Sequence, residues 1–245
     1  MLENYSVIDL FSGVGGLTHG FFLEKFKIDA GIDFDNACKY AFEVNNKAKF
    51  IHEDLATLPS NRINSLFTSK YKILVGCAPC QAFSQYNNNE KNDKWKLVYS
   101  YGRIIDEIKP EIISMENVPQ LQTYKNGKVF KDFVKVLKNN NYSIDYKIVN
   151  AQEYGVPQRR KRLILLASRI GQIELIGPTH SHRDYNTVRN AICHLPAILD
   201  GESCETDKLH RSRKLSSLNK RRIEATPEGG SWKDWDKSLV LDCHR

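Results

Sequence analysis

The sequence predicts an α/β fold, a doubly wound and mainly parallel sheet followed by the start of a small polar region. Three observations predict it. From residue 5 to about 168, short apolar runs alternate with helical periodicities. The first run passes through a glycine-rich turn into a helix start. After about residue 170 the rhythm stops and the chain turns polar. Strands alternating with helices imply a parallel sheet covered on both faces.

In chain order, "YSVIDL" (5–10) is the first strand, and "VIDLFSGVGGLTHGF" carries it through the turn. Gly13, Gly15 and Gly16 stand where the chain must bend sharply. Glycines there let the backbone approach a ligand and expose helix amide hydrogens. Their spacing is not the dinucleotide fingerprint, because Gly16 directly follows Gly15 and the next glycine is Gly20.

"FKIDAGID" (26–33) is the second strand and ends on Asp33, where an acidic residue can accept hydrogen bonds from a ribose diol. Phe34 follows and can pack on an adenine face. "HEDL" places Asp54 after a third strand, within reach of an adenine amino group. One acid at a strand end is usually a solvated loop residue. The glycine turn and two acids at three successive strand ends argue for an adenosine ligand at the carboxyl edge.

"YKILVG" (71–76) is the fourth strand and "EIISM" (111–115) the fifth. Between them Leu97, Val98, Tyr101, Ile104, Ile105 and Ile108 form one helical stripe. Val129, Phe130, Phe133, Val134 and Leu137 form another, before "YSIDYKIV" (142–149) and "RLILLAS" (162–168). A domain boundary is placed near residue 178, giving 1–178 and 179–245. In the second part "TVRNAICHLP" holds one short helix around 187–192.

With 36 Lys and Arg against 29 Asp and Glu, the formal charge of +7 favours a polyanionic partner. Seven basic residues and no acidic one lie between Lys208 and Arg222. The start lacks the basic and apolar regions of a signal peptide, and no apolar run reaches a membrane span, so a cytoplasmic, nucleoid-associated protein is expected. Six irregularly spaced cysteines in a chain of 245 residues are expected to be reduced thiols.

One of them stands apart. Cys80, in "GCAPCQAFSQYN", follows the fourth strand at the edge where open α/β sheets keep their active sites. A zinc or redox site would need partners that neither Cys77 nor the rest of the chain offers at the usual spacing. The His and Cys residues of the tail match no standard zinc spacing either, so no metal is expected.

"DLFSGVGG", "PCQAFS", "MENV" and "QRRKR", in that order over residues 9 to 162, resemble the DNA (cytosine-5) methyltransferases. The resemblance implies a Rossmann-like methyltransferase fold and S-adenosylmethionine as cofactor. It implies a cofactor site of Asp9, Phe11, Ser12, Gly13, Val14, Gly15 and Gly16, then Asp33, Phe34, Asp54 and Leu55, with Pro79 and Leu97. Cys80 matches the family nucleophile. Cytosine C5 is a poor nucleophile, and a thiolate added at C6 makes it enamine-like.

Glu116 matches the glutamate that contacts N3 of the ring. To act as a donor it should be protonated or share a proton, which calls for burial. Arg160 and Arg162 match the arginines beside the pyrimidine, and alternation along a strand would aim them together. Gln81, Ser84, Gln85, Asn117 and Gln158 are the expected contacts to DNA or the target base. The base must leave the duplex to meet Cys80.

Two departures stand out. Trp95 and lysines replace the Asp and Arg that family members carry after the cysteine loop. The chain also stops at "LVLDCHR", before the C-terminal family segments, so a fragment or one subunit of a split enzyme is expected. The split reading, a heterodimer acting on double-stranded DNA within a restriction-modification system, is the one favoured. A non-catalytic subunit of the same fold, an RNA cytosine methyltransferase and a nicotinamide dehydrogenase are the competing classes. The full set of catalytic-type residues argues against the first and the glycine spacing against the last.

Overall fold

The strands form where β-branched and apolar residues dominate short runs. In this computed structural model, which describes residues 2–79, 93–207 and 210–244, the strands are β1 Tyr5–Leu10, β2 Lys27–Asp33, β3 Lys49–His52, β4 Tyr71–Gly76, β5 Ile112–Asn117, β6 Ser143–Asn150 and β7 Lys161–Ser168. The helices are α1 Gly16–Leu23, α2 Lys39–Asn46, α3 Ser60–Asn64, α4 Leu97–Ile108, α5 Lys128–Asn139, α6 Val188–Ile192 and α7 Ser217–Glu224.

The strand order is β3-β2-β1-β4-β5-β7-β6. The first five pair in parallel, whereas β7 runs antiparallel to both β5 and β6. The sheet is therefore mainly parallel with an antiparallel end.

Alternation along the strands feeds two layers. Val7, Ile73 and Val75 point to the side where Leu17 and Phe21 of α1 pack. Ile8, Leu10 and Leu74 point the other way, into a cluster with Tyr101, Ile104, Phe133 and Leu137 from α4 and α5. Covering both faces explains why burial is unbroken along β1 from Ser6 to Leu10 and along β4 from Ile73 to Gly76.

The two helical stripes are the buried faces of α4 and α5. Val98, Tyr101, Ile104 and Ile105 of α4 are fully buried, as are Val129, Phe130, Phe133 and Leu137 of α5. α4 ends on Lys109 in the left-handed conformation, and Pro110 follows, which cannot continue a helix.

The chain divides into two compact units, residues 1–186 and residues 187–245. The second contains α6, α7 and an isolated bridge between Ser203 and Arg211. Among the described residues no helix is long and apolar enough to cross a membrane.

Candidate active site

At the carboxyl ends of β1, β2 and β3, one residue, Asp33, ties three loops together through its carboxylate and its carbonyl. Asp33 Oδ2 accepts the N–H of Gly13 at 2.9 Å, and Oδ1 accepts the N–H of Asp35 at 2.9 Å. The Asp33 carbonyl takes the N–H of Glu53 at 3.1 Å. The loop reaches Asp33 because Phe11, Gly13 and Gly15 all adopt positive φ. Gly15 is required twice over: its φ is +86°, and a Cβ there would collide with Asn46 and Phe42 of α2.

Around this knot stand the other residues expected for a cofactor. Phe34 is 66% exposed and Val14 58%, two large apolar side chains left uncovered at the strand ends. Ser12 is buried and its hydroxyl has no partner among the described residues. Asp54 is exposed; its Oδ1 accepts the Ala56 N–H at 2.9 Å, and the adjoining Leu55 is buried. Pro79 and Leu97 are half-buried.

Asp9 is placed differently from these. It is 1% exposed, and its Oδ2 accepts the Thr18 hydroxyl at 2.5 Å, bracing α1 against β1. Burial pushes its carboxyl up to about 7, against the lowering effect of the Thr18 hydrogen bonds.

An adenosine group fits these residues. A carboxylate oxygen has lone pairs for more than one donor, so Asp33 can hold its loops and still accept a ribose hydroxyl. Space beside Gly13 and Gly16 is open, and the orphan Ser12 hydroxyl awaits a partner.

Farther along the same edge, β4, β5 and β7 assemble a second set. Glu116 pairs with Ile164 across the antiparallel ladder, which puts Arg162, two residues earlier on β7, diagonally opposite on the same face. Arg162 Nε donates to Glu116 Oε1 at 2.7 Å, with the two side chains 20% and 24% exposed. Glu116 is thus half-buried, where full burial would have required a neutral acid or a complete set of partners.

The other oxygen, Oε2, accepts the thiol of Cys77 at 2.7 Å. Asn117, 1% exposed, donates from Nδ2 to the Ala78 carbonyl at 3.0 Å and accepts the Val118 N–H at 2.9 Å. It therefore fastens the segment that leads to residue 80 onto the end of β5. The proposed nucleophile Cys80, with Gln81, Ser84 and Gln85, lies outside the described residues.

Arg160 and Gln158 are exposed. Arg160 nevertheless shares a wall with Arg162: both line a cavity of about 360 Å³ with Val149, Tyr154, Val156 and Ile164. The strand alternation that aims them together extends past β7, since the Arg160 carbonyl accepts the Ala151 N–H at 2.8 Å. Sequence reasoning assigned no chemistry to Cys77. Its only signal was its place at a strand end three residues before the reactive-type cysteine.

The profile of the C-5 cytosine-specific DNA methylase family matches residues 5–241, and the chain belongs to that family. It is 45% identical over 242 residues to the Type II methylase M.HgiDII of Herpetosiphon aurantiacus, covering 98% of this chain and 68% of that protein. It is 28% identical over 241 residues to the Type II methyltransferase M1.HphI of Haemophilus parahaemolyticus, covering 95% of this chain and 63% of that protein.

Among solved structures, an E. coli prophage-encoded protein described as a DNA modification methyltransferase superposes with a TM-score of 0.66 at 22% identity. That match covers 98% of this chain and 67% of the other, and it supports the fold.

Proposed function

We propose that this chain methylates C5 of a flipped-out cytosine in a specific duplex DNA sequence, with S-adenosylmethionine as cofactor. The observation that carries the reading is the Arg162–Glu116 pair, set on the same sheet edge as the Asp33 knot and beside the segment that Asn117 fastens ahead of Cys80. The +7 charge suits a polyanion.

Glu116, Arg162 and Arg160 are assigned to the base. Thiolate addition from Cys80 forms the S–C6 bond and moves the C5–C6 π pair toward N3 and O2. A carboxyl at N3 and guanidinium groups nearby take up that charge. The same guanidinium groups favour the thiolate over the thiol. Asp33, Phe34 and Asp54 are assigned to the ribose and adenine of the cofactor, with the amides of the Gly13–Gly16 turn beside them.

The methyl group would come from bound S-adenosylmethionine, the C5–CH3 bond forming as the sulfonium C–S bond breaks and S-adenosylhomocysteine leaves. The C5 proton then passes to a base, a role assigned to water because no residue of the sequence is an obvious dedicated base, and the S–C6 bond breaks to free Cys80. Extruding the base costs a few kcal/mol, recovered through pocket contacts.

Duplex DNA bearing 5-fluorodeoxycytidine tests the adduct, because fluorine cannot leave C5 as a proton does. A covalent protein–DNA band is expected with the native chain and none with Cys80→Ser. Parallel arms with cytosine-containing RNA, and with the product of a neighbouring gene added, test the RNA alternative and the two-chain arrangement. Methyl transfer undiminished in Cys80→Ser would refute the reading.

A further inference from the structure

We propose that Cys77 is a positioning residue for Glu116: its thiol holds the carboxylate oxygen that Arg162 leaves to the substrate, and releases it when a base arrives. The inference rests on the reading of Glu116 as the group that meets the target ring. The two oxygens of Glu116 are held by donors of different kinds. Oε1 is fixed by a permanent cation, and the Arg162 guanidinium is itself anchored by its Nη1 donating to the Lys161 carbonyl at 2.8 Å. Oε2 is held by a neutral thiol at 2.7 Å.

The thiol is held in place from both sides. The Cys77 N–H donates to the Leu10 carbonyl at 3.4 Å. Gly76 before it lies against the Tyr101 ring, which an added Cβ would meet at 3.1 Å, and Ala78 after it is fully buried with its carbonyl on Asn117. Glu116 and Asn117, neighbours on β5, therefore grip residues 77 and 78 through one side chain and one carbonyl.

The thiol chemistry suits a temporary hold. An S–H is a weak donor, so Oε2 can exchange it for the amino N–H of a cytosine at low cost. Without the thiol the carboxylate is held at Oε1 alone and can rotate about that contact away from the position that the ring requires, and the loss would appear in the chemical step and not in DNA affinity.

Single-turnover methylation of duplex DNA, paired with DNA binding by anisotropy, tests this. Cys77→Ala is expected to slow transfer roughly tenfold, the order for one hydrogen bond to a charged group, with the DNA Kd unchanged. Cys77→Ser should recover most of the rate, because a hydroxyl is a stronger donor than a thiol and its Oγ, on a shorter bond from Cβ, remains within hydrogen-bond reach of Oε2.

Infrared spectroscopy supplies a readout apart from activity. The S–H stretching band that disappears in Cys77→Ala should shift to higher frequency in Glu116→Gln, a weaker acceptor. A native rate in Cys77→Ala, a Cys77→Ser variant as slow as Cys77→Ala, or an S–H band unmoved in Glu116→Gln would each overturn the proposal. If the native chain transfers no methyl group to DNA either alone or with the product of the neighbouring gene added, the functional reading fails, while the infrared arm still decides whether the contact exists.

Discussion

Residues 1–186 and residues 187–245 hold themselves together by different means. In the first unit every strand sends apolar side chains into one of two layers, and Tyr101, Phe42 and Phe133 are fully buried. In the second, Leu239 is the one buried apolar side chain among the described residues. Its order comes from helix caps, with Thr187 and Ser231 each closing a capping box, and from polar contacts around one tryptophan. Trp235 Nε1 donates to Thr226 Oγ1 at 2.7 Å, Arg222 lies 5.7 Å from its ring, and Arg222 Nε donates to the Leu239 carbonyl at 2.7 Å.

The difference teaches where chemistry can be precise. Strand ends backed by a packed core can hold Glu116 and Arg162 to a fixed geometry, whereas segments secured by caps and surface contacts open at low cost.

The largest expected effect is on the rigid edge. Glu116→Gln keeps the shape and removes the charge that Arg162 meets, and a fall in methylation of about 10²–10⁴-fold is expected in single-turnover assays. Next is the core that supports that edge. Tyr101→Ala should cost about 3–5 kcal/mol in denaturant unfolding, since the ring is fully buried and its hydroxyl donates to the Leu74 and Ser114 carbonyls, each 3.1 Å away. A cost below about 1 kcal/mol would break the contrast between the units.

Asp9 makes the core pH-sensitive. Its carboxyl is raised to about 7 in the folded protein from an unfolded value near 4, so the folded state holds this proton more tightly. The stabilisation is fully present below about pH 4 and is lost as pH rises through about 7. Asp9→Asn should flatten this part of the profile, so native stability relative to the variant falls from pH 5 to pH 8. A constant difference between the two would refute it.

The smallest effect is expected in the second unit. Trp235→Ala should shift the main unfolding transition by less than about 1 kcal/mol, while limited proteolysis within 217–240 accelerates. A large shift of the main transition would mean that the two units unfold together.

Much of the sheet was legible because its signals are local. The runs 5–10 and 71–76 coincide with β1 and β4, and the two helical stripes are the buried faces of α4 and α5. β3, only four residues long with Phe50 as its buried anchor, has too short a pattern to be bounded from sequence. The candidate site was legible as a set of residues through the family motifs, but not as contacts. Asn117 was expected at the target base, and its amide is turned onto the Ala78 carbonyl.

By itself the sequence determined the fold class, the glycine turn that needs positive φ, the strand-end acids and the family to which the chain belongs. These follow from periodicity, backbone sterics and motif order, which are properties of neighbouring residues. Only the tertiary structure decided that β7 runs antiparallel beside β5, that Arg162 thereby meets Glu116, and that Cys77 takes the other oxygen. Those contacts join segments tens of residues apart, and their partners are chosen by sheet register and packing.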